Sequence, residues 1–314
     1  MKKAAVFLGL TFFLSWPIAF FAFGTGMRAY TAPWLAVAVY FMFTPAISTI
    51  ITQKLIYRQN LMRPLRVSFR PNRWFLVALL LPGIIALAST ATSLLFPGVS
   101  ITTNLTEATL FQFMRQSFTQ DQVAALSRSA SELPVHPFFL VLLGGTMAGL
   151  TINGVAGFGE ELGWRGLLLR ESLGLGFWRA SFATGIVWGL WHLPFILHGH
   201  NYPGYPIAGA FVMILWTTLF SPLIGYLCIR ANSVIAAAIM HGAVNGTAMA
   251  PMVMLRGGNA LQIGVMGFAG ILVLLCLNLV LLTVGRPEEW HNKCMERTFD
   301  NAVESVDRQP GGGR

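Results

Sequence analysis

The sequence is short of charge: Asp, Glu, Lys and Arg make up 11% of its 314 residues, and only 12 of them are acidic. A water-soluble domain carries about 25% charged residues, so the chain reads as an integral membrane protein. Cysteine is scarce as well. Cys228, Cys276 and Cys294 lie far apart with no CxxC pair, which excludes a disulfide framework or a cysteine zinc site. They read as two thiols packed in apolar segments and one in the tail. There is no internal repeat, which weighs against a transporter built from two similar halves. There is no nucleotide-binding glycine pattern either.

What is plentiful is apolar: 55% of the residues, with a mean hydropathy of +0.63. A spanning helix needs about 20 mostly apolar residues. Eight stretches qualify: 4–24, 33–53, 74–96, 137–158, 177–197, 207–229, 233–253 and 262–284. The first follows Lys2 and Lys3, but its apolar run is long for a signal peptide and no clear A-x-A site follows, so it reads as a retained helix. The expected fold is an all-α integral membrane protein, a bundle of about eight transmembrane helices with an internal polar cavity. A single polytopic domain is expected over 1–286, with a polar, Ser/Thr-rich extracytoplasmic insertion over 99–135 and a charged, mobile tail over 287–314.

The net charge of +9 does not point to nucleic acid, because the positive residues sit in loops between apolar runs, where they set orientation. The 54–73 loop holds Lys54, Arg58, Arg63, Arg66, Arg70 and Arg73 and no acid, which marks it as cytoplasmic. With eight spans both termini then face the cytoplasm, in agreement with Lys2, Lys3, Arg286, Lys293 and Arg297. The opposite loops are weaker in base: Arg28, then Arg115 and Arg128 diluted by Glu107, Asp121 and Glu132, then Arg256.

Ionisable residues in or beside the spans need a reason, because lipid penalises them unless they face a bundle interior or a water-filled cavity. Arg170, Glu171, Arg179 and Arg230 sit at span ends, where long side chains reach the interface. Three other groups are harder to dismiss. In "GFGEELGWRG" (157–166), Glu161 and Arg165 are four apart, so on a helix they face each other and Arg165 neutralises one of two adjacent acids. Taken alone, the same residues also suit a solvated helix start, with Glu at the positive end of the dipole. In "VWGLWHLPFIL", His192 lies one turn after Trp188, and Pro194 loosens the local helix ladder. In "AAIMHGAVNGTAM", His241 and Asn245 share one face, and Gly242 and Gly246 allow a close helix approach. Each of the last two also has a bland reading as interhelical hydrogen bonding. Together, two acids, two histidines and an asparagine on three helices call for a shared polar cavity. Such a cavity supplies a general base, an orienting imidazole and oxyanion donors, the equipment of a hydrolase that activates water.

These motifs in this order, E-E-x-x-x-R, aromatic-x-x-x-H and H-x-x-x-N, resemble the CPBP family (CAAX proteases and bacteriocin-processing enzymes, or Abi), intramembrane proteases related to the Ras-converting CAAX endopeptidase. The resemblance covers about 137–253, and the flanking helices match only in being hydrophobic. The family usually has Phe where this chain has Trp188; both are aromatic, and the departure carries little weight at this level. The resemblance implies an eight-helix bundle with a conical cavity open to the cytosol and the bilayer. It implies Glu160 as the base that activates water, helped by His192, with His241 and Asn245 lining an oxyanion hole and Glu161 and Arg165 in support. It also implies membrane-anchored, prenylated or peptide-toxin substrates, surrounded by membrane lipid. The family is often labelled metalloprotease, and Glu160, His192 and His241 are chemically able to hold zinc. Without HExxH, and with an Asn beside a paired Glu, a metal-free site is expected. His198 and His200 fall in an outer loop, where a surface role is expected. The competing readings are a non-catalytic immunity or binding protein and a polar-solute transporter.

Overall fold

The structure is a computed structural model that describes residues 2–27, 31–114, 119–289 and 292. It is built almost wholly of helices: α1 (Lys2–Gly24), α2 (Ala32–Ile56), α3 (Arg73–Ser93), α4 (Thr109–Met114), α5 (Gln120–Ser131), α6 (Pro137–Ala148), α7 (Ile152–Glu171), α8 (Phe177–Trp191), α9 (Leu193–Leu197), α10 (Pro206–Ala231), α11 (Val234–Met254) and α12 (Phe268–Val284). A two-residue ladder pairs β1 (Ser100–Ile101) antiparallel with β2 (Leu255–Arg256). Among the described residues five helices are long and apolar enough to cross a membrane: α1, α2, α3, α10 and α11. The bent pair α6–α7 makes a sixth if it is one span. The protein is therefore an all-α, multi-pass membrane protein.

The stretch expected as one straight span over 137–158 is not one. The chain breaks at 149–151, where Thr151 leaves helical geometry, and the two helices meet at 53°. The second continues to Glu171, so the paired glutamates lie inside a helix and not at a helix start. Glycine explains both features. α7 opens INGVAGFG, a poor helix former in water, but in lipid the backbone must satisfy its own hydrogen bonds. The same glycines let other backbones approach. A Cβ on Gly157 would come 2.8 Å from the Ala238 carbonyl, and one on Gly242 would come 2.5 Å from the backbone of Asn153. α7 and α11 are thus in backbone contact, as small-residue packing in membranes allows.

The expected span over 177–197 is also interrupted. α8 ends at Trp191 and α9 begins at Leu193, with His192 at the junction. Pro194, which has no N–H to offer the preceding turn, sits in the first turn of α9. Beyond α8, α10 runs along it, α1 and α2 pack on one another, and α2 lies against α7. The 99–135 insertion folds as α4 and α5 around Leu105, Ala108, Phe111 and Val123, which pack with Val253 at the end of α11. Of the tail read over 287–314, all but 287–289 and 292 lies outside the described residues, as do Arg28, Arg115, Lys293, Cys294 and Arg297.

Candidate active site

The site grows from two consecutive residues of α7. Glu161 Oε1 and Oε2 each lie 3.0 Å from Arg165 Nη1, one turn on. Arg165 Nη2 donates to Ser221 Oγ of α10 at 3.1 Å, and its guanidinium lies 4.6 Å from the Trp188 ring. Residues 162–168 wind as a π-helix, a form that recurs at functional sites. Glu160 points elsewhere. Its Oε2 accepts a hydrogen bond from Trp188 Nε1 of α8 at 2.8 Å. Its Oε1 lies 3.8 Å from His241 Nε2 of α11, too far for a direct hydrogen bond.

His241 therefore stands between the two acids. Its Nδ1 is 2.8 Å from Glu161 Oε1. An ionised carboxylate only accepts, so Nδ1 donates and Nε2 faces Glu160. His192 Nδ1 donates to the Trp188 carbonyl at 2.8 Å, which leaves its Nε2 as the acceptor of the neutral ring. Glu160, Glu161, Arg165 and His241 are 2%, 0%, 1% and 4% exposed. Charges that deep are tolerated only when paired and hydrogen-bonded, and the Glu161–Arg165 pair with its two outer bonds meets that condition.

Of the residues singled out in the sequence, the structure joins Glu160, Glu161, Arg165 and His241 in one buried cluster and ties His192 to it through the Trp188 backbone. Asn245 is not part of the buried cluster. It follows His241 by one turn on α11, and its side chain is exposed. Among the described residues no three His, Cys, Asp or Glu side chains form a group that could hold a metal ion, the set Glu160, His192 and His241 included. His198 keeps an exposed side chain stacked on Phe23, as a surface role requires. His200 departs from it: the ring packs against Trp34 and Phe195, and Nδ1 is buried without a hydrogen-bond partner.

Two contributors were not legible as site residues. Ser221 is a lone hydroxyl in an apolar span, next to Pro222, and its polarity was the only signal. Trp188 read as an aromatic spacer of His192, whereas it is a hydrogen-bond donor to Glu160. The site also has a back wall the motifs do not mention. Trp191 stacks on Phe41 of α2 with centroids 4.1 Å apart and donates to Ser15 of α1, while Trp16 of α1 donates to the Trp191 carbonyl.

Residues 134–247, the portion that carries all three motifs, match the family of type II CAAX prenyl endopeptidases, Rce1-like. The match supports the CPBP/CAAX-protease resemblance carried by the motifs and, at family level, a membrane peptidase. No curated protein matches the chain.

Proposed function

We propose that the protein is an intramembrane endopeptidase that hydrolyses peptide bonds of membrane-anchored or lipid-modified proteins with water activated by Glu160 and His192. The observation that carries this is the unequal treatment of two adjacent buried acids. Arg165 and His241 engage Glu161, whereas Glu160 has one oxygen on an indole N–H and the other facing His241 across 3.8 Å. That separation is beyond a direct hydrogen bond, so this oxygen of Glu160 is not committed to His241. In this reading Glu160 takes a proton from water and the oxygen attacks the scissile carbonyl; as the C–N bond breaks, that proton passes to the leaving amine, with His192 assisting the transfer.

The developing oxyanion is assigned to His241 and Asn245. Because Nδ1 of His241 donates to Glu161, its Nε2 donates only in the imidazolium form. Asn245 lies one turn away, on the exposed side of α11, where a substrate entering from outside the cluster would meet it. Glu161 and Arg165 support the site by holding His241. The bundle is proposed to complete eight spans, with α8–α9 and the 17-residue α12 as the shorter ones, around a polar cavity, and with both termini in the cytoplasm. No metal is assigned a step.

The test is cleavage of membrane-anchored and prenylated peptides by purified wild type, Glu160→Gln and His192→Ala, with and without chelator. Cleavage by wild type alone, insensitive to chelator, is the expected result. Near-full activity in Glu160→Gln would sink the base assignment. Loss on chelation with rescue by zinc would replace it with a metal mechanism.

A further inference from the structure

We infer that Trp188 is a positioning residue for Glu160, acting through its indole N–H, so that phenylalanine at this position would not be its equivalent. The inference rests on the reading of Glu160 as the base. Four contacts meet on this one side chain and its backbone. Nε1 donates to Glu160 Oε2 at 2.8 Å. The ring face carries the Arg165 guanidinium at 4.6 Å. The His241 ring stands against it, steeply inclined, with centroids 5.3 Å apart. The backbone carbonyl holds His192 Nδ1 at 2.8 Å. Trp188 is 2% exposed, so these contacts are made out of reach of solvent.

The chemistry separates the ring from its N–H. A phenyl ring supplies the apolar face and the aromatic edge, so it would still pack against Arg165 and His241. It has no donor. Glu160 would then keep its buried position and lose the 2.8 Å hydrogen bond on its Oε2. A hydrogen bond to a charged, buried acceptor is among the strong ones, and a base misplaced by a fraction of an ångström loses rate steeply. The indole N–H thus adds a function that an aromatic ring as such does not provide.

The experiment compares wild type, Trp188→Phe and Trp188→benzothienylalanine, which replaces the N–H by sulfur at nearly unchanged size. All three are assayed on a prenylated, membrane-anchored peptide, with Glu160→Gln alongside. Both Trp188 variants are expected to lose ~10- to 100-fold in kcat with KM within about twofold, and the benzothienyl ring, which fills the same space, is expected to restore none of that loss. The 15N-indole N–H resonance of Trp188, assigned by its absence from Trp188→Phe, is expected to move in Glu160→Ala. Wild-type kcat in the benzothienyl variant, or an indole resonance indifferent to Glu160→Ala, overturns the inference. Activity retained in Glu160→Gln overturns instead the base assignment on which it rests. If wild type cleaves no probe peptide, the indole resonance decides: a shift upholds the contact, and no shift removes it.

Discussion

Glu160 and Glu161 are neighbours in the chain, yet their surroundings differ. Glu161 is enclosed by two cationic or donor partners, Arg165 on its own helix and His241 from α11, and so belongs to the frame of the site. Removing one member of such a pair leaves the other charge buried without compensation. Arg165→Met is therefore expected to destabilise the fold by about 3–5 kcal/mol, read as a large drop in melting temperature in detergent. The double variant Arg165→Met/Glu161→Gln should recover part of that loss. If the single and double variants melt alike, the pair does not carry the coupling assigned to it. The i,i+4 spacing made this pair legible in the sequence, because helical geometry alone brings the two side chains together. The partner of Glu160 was not legible as such: a tryptophan in an apolar helix reads as packing until a carboxylate is found within reach of its N–H.

At the scale of elements, the site exists because α7 and α11 touch through backbone. Gly157 and Gly242 are the positions where any side chain would push the two helices apart. Gly242→Val is expected to separate His241 from Glu161 and so to lower both melting temperature and cleavage. Gly174, with nothing near its missing Cβ, is the control, and Gly174→Ala should leave both within about 0.5 kcal/mol and twofold of wild type. Equal damage at both positions would deny the close approach its importance. The breaks at 149–151 and at His192 belong to this scale too. A hydropathy pattern reports whether residues are apolar, and these stretches are. It does not report where the helix axis turns, because that depends on which neighbour fills the gap left by glycine or by the missing proline N–H. The N-terminus of α8 is met by the chain that follows α12, where Glu288 accepts from the Phe177 N–H at 3.1 Å, a favourable place for a carboxylate.

For the whole molecule, α1 and α2 are a support for the site and not simply lipid-facing anchors. Trp16, Ser15 and Phe41 hold Trp191, and Phe23 and Trp34 extend the same aromatic wall past Phe195 of α9 to His198 and His200 in the loop after it. In that loop burial pushes His200 down to about 4 from 6.5. The folded protein thus holds His200 neutral where the unfolded chain would protonate it. Between about pH 6.5 and 4 the unfolded state binds more protons, so stability falls as pH falls through that window and is indifferent to His200 above it. Melting temperature followed from pH 8 to 4 (roughly the span over which histidine titrates) should show this decline. His200→Phe should flatten it, and an unchanged slope in that variant would remove His200 as its source.

The sequence by itself determined that this chain lives in a membrane, that its polar chemistry falls on three apolar segments, and which acid pairs with which base along a single helix. Those conclusions rest on composition and on the fixed period of the helix, which are local properties. The tertiary structure alone decided that the two glutamates differ, that His241 sits between them, that Ser221 and Trp188 complete their bonds, and that Asn245 stands outside the buried cluster. Each of these depends on how residues far apart in the chain come together. It is set by how closely glycine lets helices approach and by where a helix breaks, and no local pattern encodes a distance across a bundle.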